Sequence, residues 1–357
     1  GAHDPLVEYK QAKLFTDEEK AELIRLLTIE PTDYDGNVMI HPWGNFGATF
    51  NLIGAFLTDI HVYADYFEAS FQDFVEDGIT HVEIRTGATQ LSDFTGTQHG
   101  LDQFVKELIK VRDRIRHRVP TFSVKLIIAS GRVPEGSEKK EDRLETVLNT
   151  ALQLHEAYPD VVIGFDCVGK EQMTNQTRNV LSVWMKMKKD SSLGEKNKSI
   201  NFYFHDGETD WADNQDVIDA VLLGTKRIGH AFNLVAFPRA EDELKRKGIA
   251  IEVCPISNQV LRYVQDLRIH PACGYIRRGL PCVLSPDDPL IFGNAGLSYD
   301  FWTAWMAWDL KLRDLKLLAL NSIEFSAMTQ QEKNATLDYF ELEWDAFIAD
   351  VIRTHDL

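Results

Sequence analysis

INFYFHDGETDW, residues 200–211, begins as a nearly unbroken apolar run and stops on His205, after which Asp206, Glu208, Asp210 and Trp211 follow within six positions. A short apolar run of this kind reads as a strand buried on both faces. A histidine and a glutamate presented together at its end read as chemistry. Runs of the same type recur along the chain: THVEIRT (80–86), FSVKLIIAS (122–130), VVIGFDCVG (161–169), RIGHAF (227–232), IAIEVCPISN (249–258) and LPCVLSPDD (280–288).

Helical periodicity fills the gaps between them. Leu101, Phe104, Val105, Leu108 and Ile115 share one face, as do Leu144, Val147, Leu148, Ala151 and Leu154, with Pro159 ending the second pattern. Strands alternating with helices imply a parallel sheet with right-handed crossovers. Seven such units without a Gly-rich phosphate loop point to a (β/α)8 TIM-type barrel rather than a doubly wound sheet. The count is one strand short, and nothing before Thr80 reads as a first strand. Residues 1–75 are expected to form an N-terminal helical region. It opens with TDEEKAELIRLL, where Thr16 and Glu19 have capping-box spacing, and continues through a long aromatic-rich helical region from Phe50 to Phe74. Residues 76–357 are expected to form the barrel, with the seven runs as its strands two to eight.

Composition narrows the function. The 357 residues carry a formal charge of -17, which disfavours a nucleic-acid backbone or an anionic membrane as partner. No apolar run approaches the roughly 18–20 residues of a membrane span. Cys167, Cys254, Cys273 and Cys282 are too few and too far apart for a disulfide scaffold or a Cys-rich zinc site. The opening GAHDPLVEYK has no apolar leader core, and sequons at Asn175, Asn197 and Asn334 favour secretion only weakly. MKMKKDSSLGEKNKS (185–199) reads as a solvated loop, and Trp302, Trp305 and Trp308 as one packing face of a helix, suited to core or to a homodimer contact.

Five consecutive strand ends carry chemically capable groups: Asp166 with Gly169, His205 with Glu208, His230, Ser257 with Asn258, and Asp287 with Asp288. In a barrel of parallel strands these all fall at the catalytic face. The set reads as a hydrolytic metal site. His205 and Asp287 offer nitrogen and oxygen suited to zinc. His230 would orient or deprotonate a water, Glu208 would shuttle a proton, and Asp288 would hydrogen-bond the substrate.

These motifs resemble the adenosine deaminase family, above all its growth-factor-like, extracellular branch. FHDGETDW is similar to the family's His-Ala-Gly-Glu strand end, RIGHAF to its Gly-His-Gly turn and SPDDP to its Ser/Thr-Asp-Asp-Pro, while GFDCVGKE, IEVCPISNQVL, DLRIHP and IFGNAGLSYDF read like the growth-factor-like branch. The resemblance implies a metal-dependent hydrolase barrel that converts adenosine or 2'-deoxyadenosine to the inosine product and ammonia. His205 and Asp287 would be zinc ligands, Glu208 the acid for purine N1, His230 the group that positions water, and Asp288 the partner of N7. The Gly169 amide would meet the purine, with Glu171 and Trp211 as ribose contacts.

Four departures stand out. Asp206 and Ala231 replace the family's alanine and glycine, and Pro286 its Ser or Thr. No His-x-His occurs, although the family draws two further zinc ligands from such a pair at the end of its first strand. The absent strand and the absent ligands are thus one piece, expected on an upstream segment or fragment. The rival expectations are a catalytically inactive growth-factor-like or binding protein, and a related deaminase of a modified purine.

Overall fold

The computed structural model describes residues 16–29, 42–134, 136–137, 140–172, 174, 176–189 and 200–355. His3, His41, Asn175, Asn197 and most of the 185–199 segment lie outside the described residues. Among the described residues seven strands follow one another: β1 (His81–Thr86), β2 (Ser123–Gly131), β3 (Val162–Val168), β4 in two segments (Asn201–Phe202 and His205–Asp206), β5 (Arg227–His230), β6 (Ala250–Val253) and β7 (Cys282–Leu284). Every neighbouring pair is parallel. Within β4 the ladder carries across the gap, since Tyr203 N–H donates to Phe165 O at 3.0 Å and Gly229 N–H to Phe204 O at 2.8 Å. The sheet therefore runs unbroken from β1 to β7. Among the described residues β7 does not pair with β1, so the barrel wall is open at the place where the sequence is one strand short.

Helices follow the strands as expected: α4 (Gln103–Arg116), α5 (Lys140–Ala157), α6 (Arg178–Lys189), α7 (Asp216–Leu223), α8 (Pro238–Lys247), α9 (Pro255–Val260) and α10 (Ala272–Arg277), then α11 (Ser298–Trp308), α12 (Leu312–Glu324) and α13 (Gln330–His355). Their apolar stripes meet the outer strand face in one core that includes Phe104, Leu108, Leu126, Leu148, Phe165 and Phe204. A small second layer, Ile127, Ile163 and Tyr203, fills the barrel interior.

Among the described residues three helices precede β1: α1 (Asp17–Leu27), α2 (Pro42–Phe56) and α3 (Ile60–Glu76). The Thr16–Glu19 capping box forms, with backbone-to-side-chain bonds of 3.2 and 2.8 Å. The helical region expected from Phe50 to Phe74 forms as parts of two helices, α2 and α3. Asp59 caps α3 by accepting from the His61 and Val62 amides at 2.8 and 3.1 Å, and this local competitor ends α2. Phe46 of α2 packs with Val260, Leu261, Ile291 and Phe292, so this region lies against the segments that follow β6 and β7.

The three tryptophans of α11 do not share a face. Trp308 is fully buried and donates from Nε1 to Leu267 O at 2.8 Å, whereas Trp302 and Trp305 are exposed. A three-residue spacing drifts by about 60° per step on an α-helix, enough to turn the third ring away from the first.

Leu126→Ala should lower stability by about 2–5 kcal/mol, since Leu126 is fully enclosed. Leu222→Ala, at a residue 73% exposed on α7, should change it by less than about 0.5 kcal/mol. Urea denaturation of both variants checks this reading of the core.

Candidate active site

The strand register brings His205, Glu208, His230, Asp287 and Asp288 to one end of the barrel. His205 pairs laterally with Gly229, and Asp206 with His230. Gly229 suits this closeness, because a Cβ there would stand 3.1 Å from the His205 ring and press on it. Gly207 turns the chain at φ 77°, and its Cβ would sit 2.7 Å from Asn233 Oδ1. Ligand atoms of His205, His230 and Asp287 all lie within 4.8 Å of one another. His230 Nε2 is 3.5 Å from Glu208 and 3.8 Å from Asp287.

The residues fit a metal ion. The Nδ1 of His205 is bound to Asp166 at 2.6 Å, leaving Nε2 for a ligand. Asp287 supplies a carboxylate to the same space, and the buried His230 Nε2, which has no hydrogen-bond partner, faces it as the group that would meet a metal-held water.

Asp166 also accepts from the His205 amide at 2.8 Å and from Arg85 Nε at 2.6 Å. Arg85 reaches on to Glu252 at 2.6 Å, Glu252 accepts from Arg227 Nε at 2.6 Å, and Arg227 meets Glu83. Burial alone would raise Asp166, yet His205 and Arg85 outweigh it and hold its carboxyl below the usual range. Sequence reasoning missed Arg85, Arg227, Glu83 and Glu252 as supporting residues. Their signal was legible: each is a charge inside a run that otherwise reads as a buried strand.

Electrostatics separates the carboxyls. Burial, reinforced by Asp287, Glu171 and Asp288, pushes Glu208 well above the ordinary carboxylate range. Burial and Asp287 do the same to Asp288. For Asp287 burial is outweighed by His230 and His205, so its carboxyl is held low and ionised. Burial pulls the His230 imidazole down to about 4. Glu171 accepts from the Gly207 amide at 3.1 Å through Oε1, and its Oε2 is buried without a partner. Gly169, at φ 98° after β3, and Trp211, 46% exposed after β4, belong to the same rim but make no hydrogen bond to the His205 group among the described residues.

The departures have physical explanations. Asp206 faces the helical layer, where it is fully buried against Arg132 at 2.6 Å and Thr177 at 2.5 Å, with Asp216 3.4 Å from the same guanidinium. Pro286 follows the last ladder bond, from Ser285 N–H to Val253 O at 2.9 Å, so its missing donor costs no pairing. Ala231 takes φ 45°, a left-handed conformation that carries a steric cost for a residue with a Cβ.

Arg132→Met strands the buried carboxyls of Asp206 and Asp216 and should cost about 3–5 kcal/mol in urea denaturation. Glu171 is pushed from 4.5 up to about 7, chiefly by burial against the opposing pull of Arg132. The folded state therefore binds more protons than the unfolded chain between those values, and stability falls as pH rises through that window. Glu171→Gln should flatten that fall, read from urea midpoints at pH 5, 6 and 7.

The family model described as adenosine deaminase matches residues 43–341. Adenosine deaminase 2 of Dictyostelium discoideum is 35% identical over 338 residues, covering 94% of this chain and 60% of that protein. Adenosine deaminase 2 of Homo sapiens is 36% identical over 316 residues, covering 87% and 60%. The chain thus spans about three-fifths of the length of these curated relatives. Two solved structures share the fold. Adenine deaminase from Arthrobacter aurescens has a TM-score of 0.69 at 19% identity, covering 96% of this chain and 95% of that one. An amidohydrolase from Burkholderia ambifaria with bound Zn has a TM-score of 0.68 at 17% identity, covering 86% and 80%. With a family match over most of its length, and with the strand-end histidines and aspartates drawn together in the barrel mouth, the chain belongs to the adenosine deaminase family, in its growth-factor-like branch.

Proposed function

We propose that this chain carries out zinc-dependent hydrolytic deamination of adenosine or 2'-deoxyadenosine. The observation that supports it most directly is the convergence of His205, His230, Asp287 and Glu208 around one buried point at the strand ends. In the net reaction, water oxygen bonds to purine C6, the C6–amino bond breaks, and inosine or 2'-deoxyinosine and ammonia leave.

His205 through Nε2 and Asp287 through its carboxylate would hold zinc, which when bound supplies the Lewis acidity that makes water a competent nucleophile near neutral pH. Glu208, kept protonated by burial, donates to N1 as C6 is attacked. His230 orients the attacking water through Nε2, which lies 3.5 Å from Glu208 and 3.8 Å from Asp287. Asp287 stays ionised and accepts a hydrogen bond from that water. Asp288, held neutral, donates to N7. The Gly169 amide, the free Oε2 of Glu171 and the exposed Trp211 ring are assigned to purine and ribose.

The two remaining family ligands are assigned to a His-x-His strand outside this sequence, on an upstream segment or a separate fragment. The open wall between β7 and β1 supports this assignment, because unpaired edges on both sides offer a strand its full hydrogen bonding. A binding protein without turnover is the second reading, favoured by the absence of His-x-His from the chain itself.

Glu208→Gln should lower kcat for adenosine by about 10²–10⁴ with zinc content unchanged, read from the ultraviolet change of adenosine to inosine. Unaltered turnover in the variant removes Glu208 from the mechanism. An unmutated protein with neither zinc nor turnover, on adenosine or on N6-modified purines, leaves the binding role.

A further inference from the structure

His230 is one end of a buried chain of hydrogen bonds that leads away from the substrate. Its Nδ1 lies 3.2 Å from Asn258 Nδ2. Asn258 Oδ1 lies 3.0 Å from His270 Nε2, and the Ala272 amide donates to His270 Nδ1 at 3.1 Å. All three side chains are enclosed, Asn258 completely. The His270 ring is held by Phe232 edge-on and by Trp308, with centroids 5.3 Å away in each case.

The chain has only one consistent set of protons. A backbone N–H can only donate, so His270 Nδ1 accepts and the His270 proton sits on Nε2. That proton needs an acceptor, which turns the Asn258 carbonyl toward His270 and its NH2 toward His230. The Asn258 NH2 is a donor, so His230 Nδ1 accepts. The proton of His230 therefore sits on Nε2, the nitrogen that faces Glu208 and Asp287.

We propose that Asn258 and His270 are positioning residues that lock His230 as the Nε2–H tautomer, so that it meets the attacking oxygen as a hydrogen-bond donor. This deepens the aminohydrolase reading and rests on it for its catalytic meaning. A nitrogen that carries a proton has no lone pair for a cation. Of the three clustered residues, His205 and Asp287 are thus left as ligands, and His230 orients the water rather than binding metal or taking a proton from it at rest.

The experiment is 15N NMR of the full chain labelled on its histidine rings, with His230 assigned by its loss in His230→Gln. The tautomer is read without substrate or turnover. The expected result is a neutral ring protonated on Nε2. Asn258→Asp keeps the size but leaves only acceptors facing His230, and should move the proton to Nδ1. It should also lower kcat roughly a hundredfold or more while KM changes only a few-fold, as when a triad histidine is given the wrong partner. His270→Gln, which can still donate to Asn258, should keep the Nε2–H form, whereas His270→Leu should mix the tautomers. A wild-type His230 protonated on Nδ1, or an Asn258→Asp variant that keeps Nε2–H, overturns the proposal. The locked tautomer in a protein without turnover would instead leave the relay intact and remove the aminohydrolase reading.

Discussion

The Asp166 carboxylate accepts the His205 ring N–H, the His205 amide and the Arg85 guanidinium at 2.6–2.8 Å with no exposure to solvent. A buried carboxylate with fewer partners would carry a desolvation cost of several kcal/mol, and this arrangement offsets it. The same requirement propagates. Arg85 needs Glu252, Glu252 takes Arg227, and Arg227 takes Glu83, which also receives the Ala327 amide at 2.5 Å. Negative and positive groups alternate through the barrel interior, each neutralising the next. The arrangement fixes register across β1, β3, β5 and β6, because a one-residue slip in any of them would turn its charge into the apolar helical layer. Orientation of His205 is the outcome of that register.

The site also stores backbone strain. His230, Ala231 and Asp287 have φ of 65°, 45° and 59°, in a region that L-residues rarely occupy. Strain of this kind persists only where surrounding contacts over-determine the conformation. Here the contacts are identifiable. The Ala231 amide donates to Asp206 O at 3.1 Å, and Tyr275 Oη donates to Ala231 O at the same distance. Asp206 is clamped by Arg132 and Thr177. The carboxylate that departs from the family pattern thus anchors the β4 end beside which His230 turns.

The strands were legible because parallel strands covered on both faces leave continuous apolar runs, and the clustered polar groups of the candidate site because they stop those runs. The missing strand was legible by counting. The break at Asp59 was not, because a cap inside an aromatic-rich stretch competes locally against a helical pattern that continues on both sides. Nor was the Arg132–Asp206–Asp216 cluster, since Arg132 follows β2 while Asp206 ends β4 and Asp216 opens α7, and only the folded barrel brings them together. The Asn258–His270 link is shorter in sequence, yet its meaning depends on an amide orientation that only the Ala272 N–H decides. Trp302, Trp305 and Trp308 were misread through a three-residue spacing that looks periodic on paper but winds around the helix.

Trp43 of α2 donates from Nε1 to Tyr263 Oη at 2.8 Å, across 220 positions of sequence. At a synthesis rate of about 5–20 residues per second, Tyr263 follows Trp43 by roughly ten to forty seconds. Over that interval the apolar face of α2 around Phe46 and Ile53 has no partner, because Val260, Leu261, Ile291 and Phe292 have yet to be made. The face of α2 is thus made well before the segments that cover it, and it stays open to other contacts until they arrive.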